Sequence, residues 1–456
     1  MINFIVSLMS NHAQKRPVIV GAVIILAFSS IALADDYYIT DLGTLGGNWS
    51  RASRLNELGQ VVGISIDQTS MQHAFFWDGF LLHDLGIPDE YLVSGAMAVN
   101  DWGQIAGYAN NDYQGQDAYI WQDDNWISLE LEIMQYNSMA TDINNLGHLV
   151  GYSFIQGQNG RSFTWFWKDS STTTLGDLGG TKSYASAMNS SEQIVGWSQI
   201  ANPEEFTRHA FLWEGGVISD LGVLPGETSS MAADINDSSR ICGESSHKEG
   251  YLTVSYPCLW DDDEITDLGL LSGYSRGSAT AINNKGKIVG WLSISLSGSA
   301  DLAFIYEDGV MTDLNTLLPE GSGWDLKTAS DINNNGHITG SGIAPNGETH
   351  AFLMTLVQTG IDEQQAALPD DYILISNYPN PFNDRTVISY MLIEDADVTL
   401  EIYDLLGRKV ETLVAEYQTA GDYQVVWDAF DKSTGVYFYK MRTDKNIDTG
   451  MMTLLK

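Results

Sequence analysis

One short block constrains this chain more than any other feature, because it occurs in seven versions. It reads NELGQVVG ending at Gly63, then NDWGQIAG at Gly107, NNLGHLVG at Gly151 and NSSEQIVG at Gly196. NDSSRICG follows at Gly243, NNKGKIVG at Gly290 and NNNGHITG at Gly340. The steps between these glycines are 44, 44, 45, 47, 47 and 50 residues. A repeat of that length holds one four-stranded unit of a radially repeating β architecture. Within a copy, short β-branched or aromatic runs alternate with turn residues, which is a strand pattern. Four strands are expected per copy: a (52–56 in the first copy), b (the QVVG run), c (HAFFW, 73–77) and d, ending in Asp84-Leu-Gly86. The a–b turn carries glycine in five of the seven copies, as a three-residue hairpin with a left-handed position requires.

The phase of the repeat predicts how the array ends. Residues 37–43 (YYITDLG) are a d-type strand with no copy before them, while the seventh copy stops on its c strand, His350-Ala-Phe-Leu-Met354. The first strand can therefore complete the last unit and remove an exposed edge. An open solenoid would instead need polar caps at both ends. The fold expected is all-β: a seven-bladed β-propeller closed by its N-terminal strand over 37–357, followed by a small Ig-like β-sandwich. The pattern DLGTLGG, then HAFFW, resembles the HAF family of extracellular repeats. His73-Ala-Phe75, His209-Ala-Phe211 and His350-Ala-Phe352 keep the naming triplet, and the other four copies depart from it. The resemblance implies an extracellular location and supplies no activity.

Both ends of the chain read as addresses. Lys15-Arg16, an apolar run over 17–34 and Ala32-Leu-Ala34 make a signal peptide over 1–34, with Met9 a candidate start and an uncleaved anchor the alternative. Residues 358–370 are a linker by composition. After it, 371–456 carries YPNPFN (378–383), IYDLLGRKV (402–410), AGDYQVVWD (420–428), TGVYFYK (434–440) and a terminal LLK. This segment resembles the C-terminal sorting domain of the type IX secretion system. The resemblance implies passage across an outer membrane, the outer-membrane secretion machinery as a partner, and a secreted or cell-surface destination.

The formal net charge is −37, and removing 1–34 takes away Lys15 and Arg16 and no acid, leaving −39. Nucleic acid is excluded as a partner, because binding phosphate needs clustered cations. Two cysteines occur, Cys242 on strand b and Cys258 on strand c of the fifth copy. They are candidates for a disulfide outside the cytoplasm, provided their side chains face one another.

Two patterns suggest where chemistry could sit. Six of the seven d–a loops hold an aromatic residue: Trp49, Tyr91, Tyr136, Tyr184, Tyr274 and Trp324. Flat apolar faces among Gly, Ser and Asn suit sugars; the competing reading is that each ring seats its own loop. On strand a, two residues before its final Asn, stand Arg54, Ala98, Asp142, Ala187, Asp234, Ala281 and Asp331. Arg54, Asp142, Asp234 and Asp331 are expected to line the central channel, to hold a cation or serve as acid and base, or simply to bond turn amides. Asp331-Ile-Asn-Asn-Asn-Gly336 is half of a calcium loop and lacks the downstream Glu, so calcium is weakly supported and no other cofactor or metal is expected. No catalytic set is assigned. The expected function is an extracellular binding module with a glycan or protein ligand, carbohydrate leading. The alternatives are an extracellular hydrolase or lyase, and an adhesive surface protein.

Overall fold

A computed structural model describes residues 37–455, except 80, 112–114, 123–124, 130, 132–135, 156–159, 202–206, 263, 297–298, 357–371, 379–381, 393–394, 406 and 444–446. The signal segment and the linker therefore lie outside the described residues. The described chain is all-β apart from one 3-10 turn, Leu314–Leu317. None of its helices is long and apolar enough to cross a membrane.

Each sequence copy folds as a four-stranded antiparallel sheet. The first contains Gly46–Leu55 (a), Val61–Asp67 (b), Gln72–Trp77 (c) and Leu82–Asp84 (d). Sheets two to six span 93–128, 136–174, 179–220, 229–267 and 276–313, each in the order a-b-c-d. The seventh has Asp325–Ile332, Ile338–Ile343 and Thr349–Leu356, and its fourth strand is Tyr37–Gly43 from the other end of the sequence. A single parallel bridge, Trp49 to Thr349, also links the first and seventh sheets.

The bonding in each sheet explains the sequence signature. In the first sheet His73 Nδ1 lies 2.9 Å from the Asp84 carboxylate, and Asp84 Oδ1 accepts the Gly86 amide at 2.8 Å. His209 and Asp220 repeat this pairing. In the seventh sheet His350 makes it with Asp41, across most of the chain, and Asp41 takes the Gly43 amide. So HAF and DLG are two halves of one c–d contact.

The repeat glycine has a steric cause. Every strand a carries a bulge, as between Ala52 and Arg54, opposite the glycine of strand b. A Cβ on Gly63, Gly107, Gly151, Gly196, Gly243, Gly290 or Gly340 would come within 2.0 to 2.2 Å of a strand-a carbonyl oxygen. The bulge forces glycine onto strand b and re-aims the strand-a residues that follow. The left-handed turn position is Gly59, Gly103, Gly147, Gly286 and Gly336 in five copies, but Glu192 (φ 62°) and Ser239 (φ 63°) adopt the same conformation in the other two. The fold imposes the turn even where the residue resists it.

The core lies between sheets. Val62, Ala74 and Phe76 of the first pack on Ala96, Val99, Ile105 and Trp121 of the second. Equivalent clusters occupy the following junctions. Leu42, Ala351 and Leu353 of the seventh meet Ala52, Leu55, Val61 and Phe75 of the first. Each fully buried phenylalanine, such as Phe75, Phe211 or Phe352, contributes about 1.5–3 kcal/mol.

Cys242 and Cys258 are free thiols, a correction to the disulfide expectation. Cys242 pairs with Leu259 and Cys258 with Gly243, so adjacent residues alternate faces and the two thiols point into different cores. Neighbouring strands were legible in the sequence; the one-residue register offset was not.

The tail has two antiparallel sheets: Tyr372–Tyr378, Arg385–Leu392 and Gly421–Asp428 in one, and Lys409–Gln418, Ala396–Asp404, Gly435–Arg442 and Ile447–Leu454 in the other. Residues from both, including Tyr390, Trp427, Leu400, Ile402 and Met441, share one core. Phe382 exchanges backbone hydrogen bonds with Thr453 and Leu455, which ties the YPNPFN segment to the last strand.

Candidate functional site

The final asparagine of strand a is Asn56, Asn100, Asn144, Asn189, Asn236, Asn283 or Asn333, and all seven are buried. Asn56 Oδ1 accepts the amides of Leu58 and Gln60 in its own turn, at 3.1 and 3.0 Å. Its Nδ2 donates to the Asn100 carbonyl of the next sheet at 3.0 Å. A carboxamide supplies the acceptor and the donor on two separate atoms. The inter-sheet bond recurs from Asn100, Asn189, Asn236 and Asn283 to their successors, and from Asn333 to the Asn56 carbonyl at 3.0 Å. Asn144 departs, lying 3.9 Å from Met188 Sδ. The seven asparagines and the residues beside them, with Asp331, line one central depression of about 230 Å³.

Above them lies a charged layer. Arg54 Nη1 is 3.3 Å from Asp234 and 3.5 Å from Asp331. Asp142 Oδ2 accepts the Met188 amide at 2.8 Å, Asp234 Oδ2 the Ile282 amide at 2.9 Å, and Asp331 Oδ2 the Leu55 amide at 2.9 Å. Each aspartate thus fastens an odd sheet to its neighbour. The alternating alanines Ala98, Ala187 and Ala281 are buried beside them. Burial pushes the Asp142 carboxyl up to about 6 against the opposing pull of Arg54, and it raises Asp331 for the same reason. The Arg54 guanidinium is itself held above its ordinary value: burial opposes the charge, and Asp234 and Asp331 more than compensate. The structure thus brings Arg54, Asp142, Asp234 and Asp331 to one place. In the half calcium loop, Asn333 Oδ1 takes the amides of Asn335 and His337. Among the described residues no group of three or more His, Cys, Asp or Glu could hold a metal.

At the opposite, d–a end is a cavity of about 540 Å³. Arg51, Arg54, Ser53, Ser186 and Ser330 line it together with Tyr108, Tyr152, Tyr184, Trp197, Met97 and Met139. Ser53, Met97, Ser186 and Ser330 are the bulged residues of strand a. Tyr184 stacks on Trp197 at 4.2 Å and meets Tyr152 at 4.5 Å, while Arg208 covers Trp197 at 5.0 Å. Their faces are largely used on one another, so they offer the cavity edges and hydroxyls. Tyr108 makes no ring contact with the described residues; it lies over Gly95, where a Cβ would meet its ring at 2.5 Å. Arg51 is exposed, and the side chains of Arg51, Ser53, Ser186 and Ser330 make no hydrogen bond or ion pair among the described residues.

The described loop aromatics are held by different contacts. Tyr184 lines the cavity. Tyr91 donates its hydroxyl to Asp117 and meets Tyr119 edge-on at 5.7 Å. Trp324 packs edge-on to Phe352 at 6.1 Å, and Tyr274 lies against Leu270, Leu271 and Leu292. Trp49 is half-buried within strand a of the first sheet. The side chain of Tyr136 lies outside the described residues. Sequence reasoning missed Tyr108, Tyr152 and Trp197. The signal was the residue after each repeat glycine: Ile64, Tyr108, Tyr152, Trp197, Glu244, Trp291 and Ser341.

Comparison with known proteins decides the tail. Residues 376–452 match a family described as a secretion system C-terminal sorting domain. The chain ends in a type IX sorting domain. The protein carrying this sorting tail is exported to the cell surface or the extracellular space, and the tail interacts with the type IX machinery. Residues 82–217 match a family described only as a protein of unknown function (DUF3466). No curated protein matches the sequence. Solved structures similar to the chain are propeller-like. One is the β-propeller domain of a trilobed protease from Pyrococcus furiosus, with 13% identity, TM-score 0.45, and coverage of 68% of this chain and 97% of that one. Another is a fungal alcohol oxidase in complex with copper, with 9% identity, TM-score 0.43, and coverage of 93% and 100%. PorZ, a surface component of the type-IX secretion system of Porphyromonas gingivalis, has 14% identity and TM-score 0.37, with 90% of this chain and 60% of that chain covered. The oxidase's copper and the protease's activity are properties of those proteins.

Proposed function

We propose that this exported chain is a binding module whose seven sheets close into a seven-bladed ring, whose tail is an Ig-like sandwich, and whose ligand is a carbohydrate held in the d–a cavity. Closure is supported by three contacts that join the seventh sheet to the first just as successive sheets are joined: Asn333 to Asn56, Asp331 to Leu55, and the shared apolar cluster. The observation that carries the ligand reading is the cavity. It pairs Tyr108, whose ring packs on Gly95 and whose hydroxyl accepts from Gln72, with three uncommitted hydroxyls and an uncommitted arginine, while every comparable polar group at the asparagine end is engaged. Such a wall offers a sugar one flat face and several hydrogen-bonding groups. A second reading has its own observation. Leu58, Trp102 and Leu146 are 60%, 55% and 65% exposed at the tips of three successive a–b turns, an apolar arc that suits a protein partner.

The test is a polysaccharide binding screen on the full chain. Wild type should bind at least one polymer, and Tyr108→Ala should weaken that binding about tenfold, the loss of one well-placed aromatic contact. A screen with no hit, combined with capture of a protein ligand sensitive to Trp102→Ala, would move the site to the a–b face.

A further inference from the structure

We infer that the cavity selects an anionic polysaccharide, with Arg51 holding a carboxylate or sulfate of the sugar; this rests on the carbohydrate reading above. Residues 37–356 contain six arginines in a strongly acidic chain. Arg51 and Arg54 line this one cavity, and Arg208 lies over Trp197 in its wall. Their states differ. Arg54 is engaged by Asp234 and Asp331, and Arg208 faces Glu244 at 3.8 Å. Arg51 alone of the three has no partner among the described residues. A guanidinium fork is shaped to take two oxygens of a carboxylate or sulfate at once.

The floor agrees with the rim. Ser53, Ser186 and Ser330 are free to donate into the cavity. The charged layer is polar along the channel: Arg54 lines the d–a cavity, whereas Asp331 lines the asparagine depression. Two acidic groups near the d–a end are already committed, Asp301 to Ser293 and Ile294 and Glu227 to His247. The net charge of −37 works in favour of selectivity. Adsorption of a polyanion elsewhere on such a surface is opposed, and beyond about 8 Å at physiological salt only local charge counts.

The experiment measures binding of the full chain to polygalacturonate, dextran sulfate and neutral dextran at physiological salt, for wild type, Arg51→Gln and Tyr108→Ala. At least one acidic polymer should bind roughly tenfold tighter than dextran, and Arg51→Gln should remove that advantage, the size of one charge-assisted contact. Which polymer loses affinity separates carboxylate from sulfate. If Arg51→Gln leaves all three affinities unchanged while Tyr108→Ala lowers them, the anion inference fails and the carbohydrate reading stands. If no polymer binds wild type, both fall.

Discussion

At the asparagine end of the central space, seven copies place the same residue, and all but Asn144 make the same bond to the next sheet; at the d–a end, the equivalent strand positions hold Ile64, Tyr108, Tyr152, Trp197, Glu244, Trp291 and Ser341. Both ends hang on the same strands a and b. Asn56 and its counterparts spend both functions of the carboxamide on the turn and the next sheet, so repetition there holds sheets together. Beyond the bulge, side chains no longer share one job. Aromatic residues cluster on sheets two to four, while three serines and Arg51 remain unengaged. Uniform bonding marks the scaffold, and broken symmetry with spare polar groups marks the site.

The sharpest way to break the comparison is to attack the layer between the two ends. Arg54→Met leaves Asp234 and Asp331 buried without their cation and should cost about 3–5 kcal/mol. Urea unfolding followed by tryptophan fluorescence reads this, and adding Asp331→Asn should restore part of the loss. A change under about 1 kcal/mol would mean that water or backbone groups already neutralise the layer. Next in size, Asn333→Asp keeps the turn acceptor but removes the donor to Asn56, at about 1–3 kcal/mol. Arg51→Gln at the other end should stay within about 0.5 kcal/mol, as exposed substitutions do. Equal costs at both ends would erase the distinction between scaffold and site.

The smallest expected effect is on pH dependence. The Asp142 carboxyl titrates near 6 in the fold, above the roughly 3.9 of an unfolded chain. Its protonated form is the one the fold prefers. The associated stability is fully present below the unfolded value and is lost as pH rises through about 6. Thermal midpoints should therefore rise as pH falls from 7.5 towards 5, and more steeply in wild type than in Asp142→Asn. Relief of overall charge repulsion acts on both proteins alike, so identical slopes would remove Asp142 from the account.

Particular residues show how far the sequence could be read. The four strands per copy follow from HAFFW, DLG and the glycine step, because each is a local pattern. The convergence of Arg54 with Asp142, Asp234 and Asp331 was legible too, since strand position fixes which residues face the centre. Their bonding was not: each aspartate takes an amide from the adjoining sheet, about 46 to 48 residues on for Asp142 and Asp234, and Asp331 reaches back to Leu55. Of the two readings of the loop aromatics, contacts within their own sheets are what hold Tyr91 and Trp324. In the tail, AGDYQVVWD and TGVYFYK fall on strands Gly421–Asp428 and Gly435–Arg442. Lys409–Gln418 lacked a clear apolar alternation, and only pairing with Ala396–Asp404 identifies it.

By itself the sequence determined the seven copies, the strand order within each, the supply of a fourth strand from the N-terminus and the sorting tail. Those depend on period, phase and local motif. Tertiary structure decided the rest: which faces Cys242 and Cys258 occupy, that Arg54 shares its charge with two acids, and that Arg51 and three serines are left unengaged. The faces of the two cysteines follow from the register of strands b and c, and the one-residue bulge in strand a turns residues such as Ser53 to a new face.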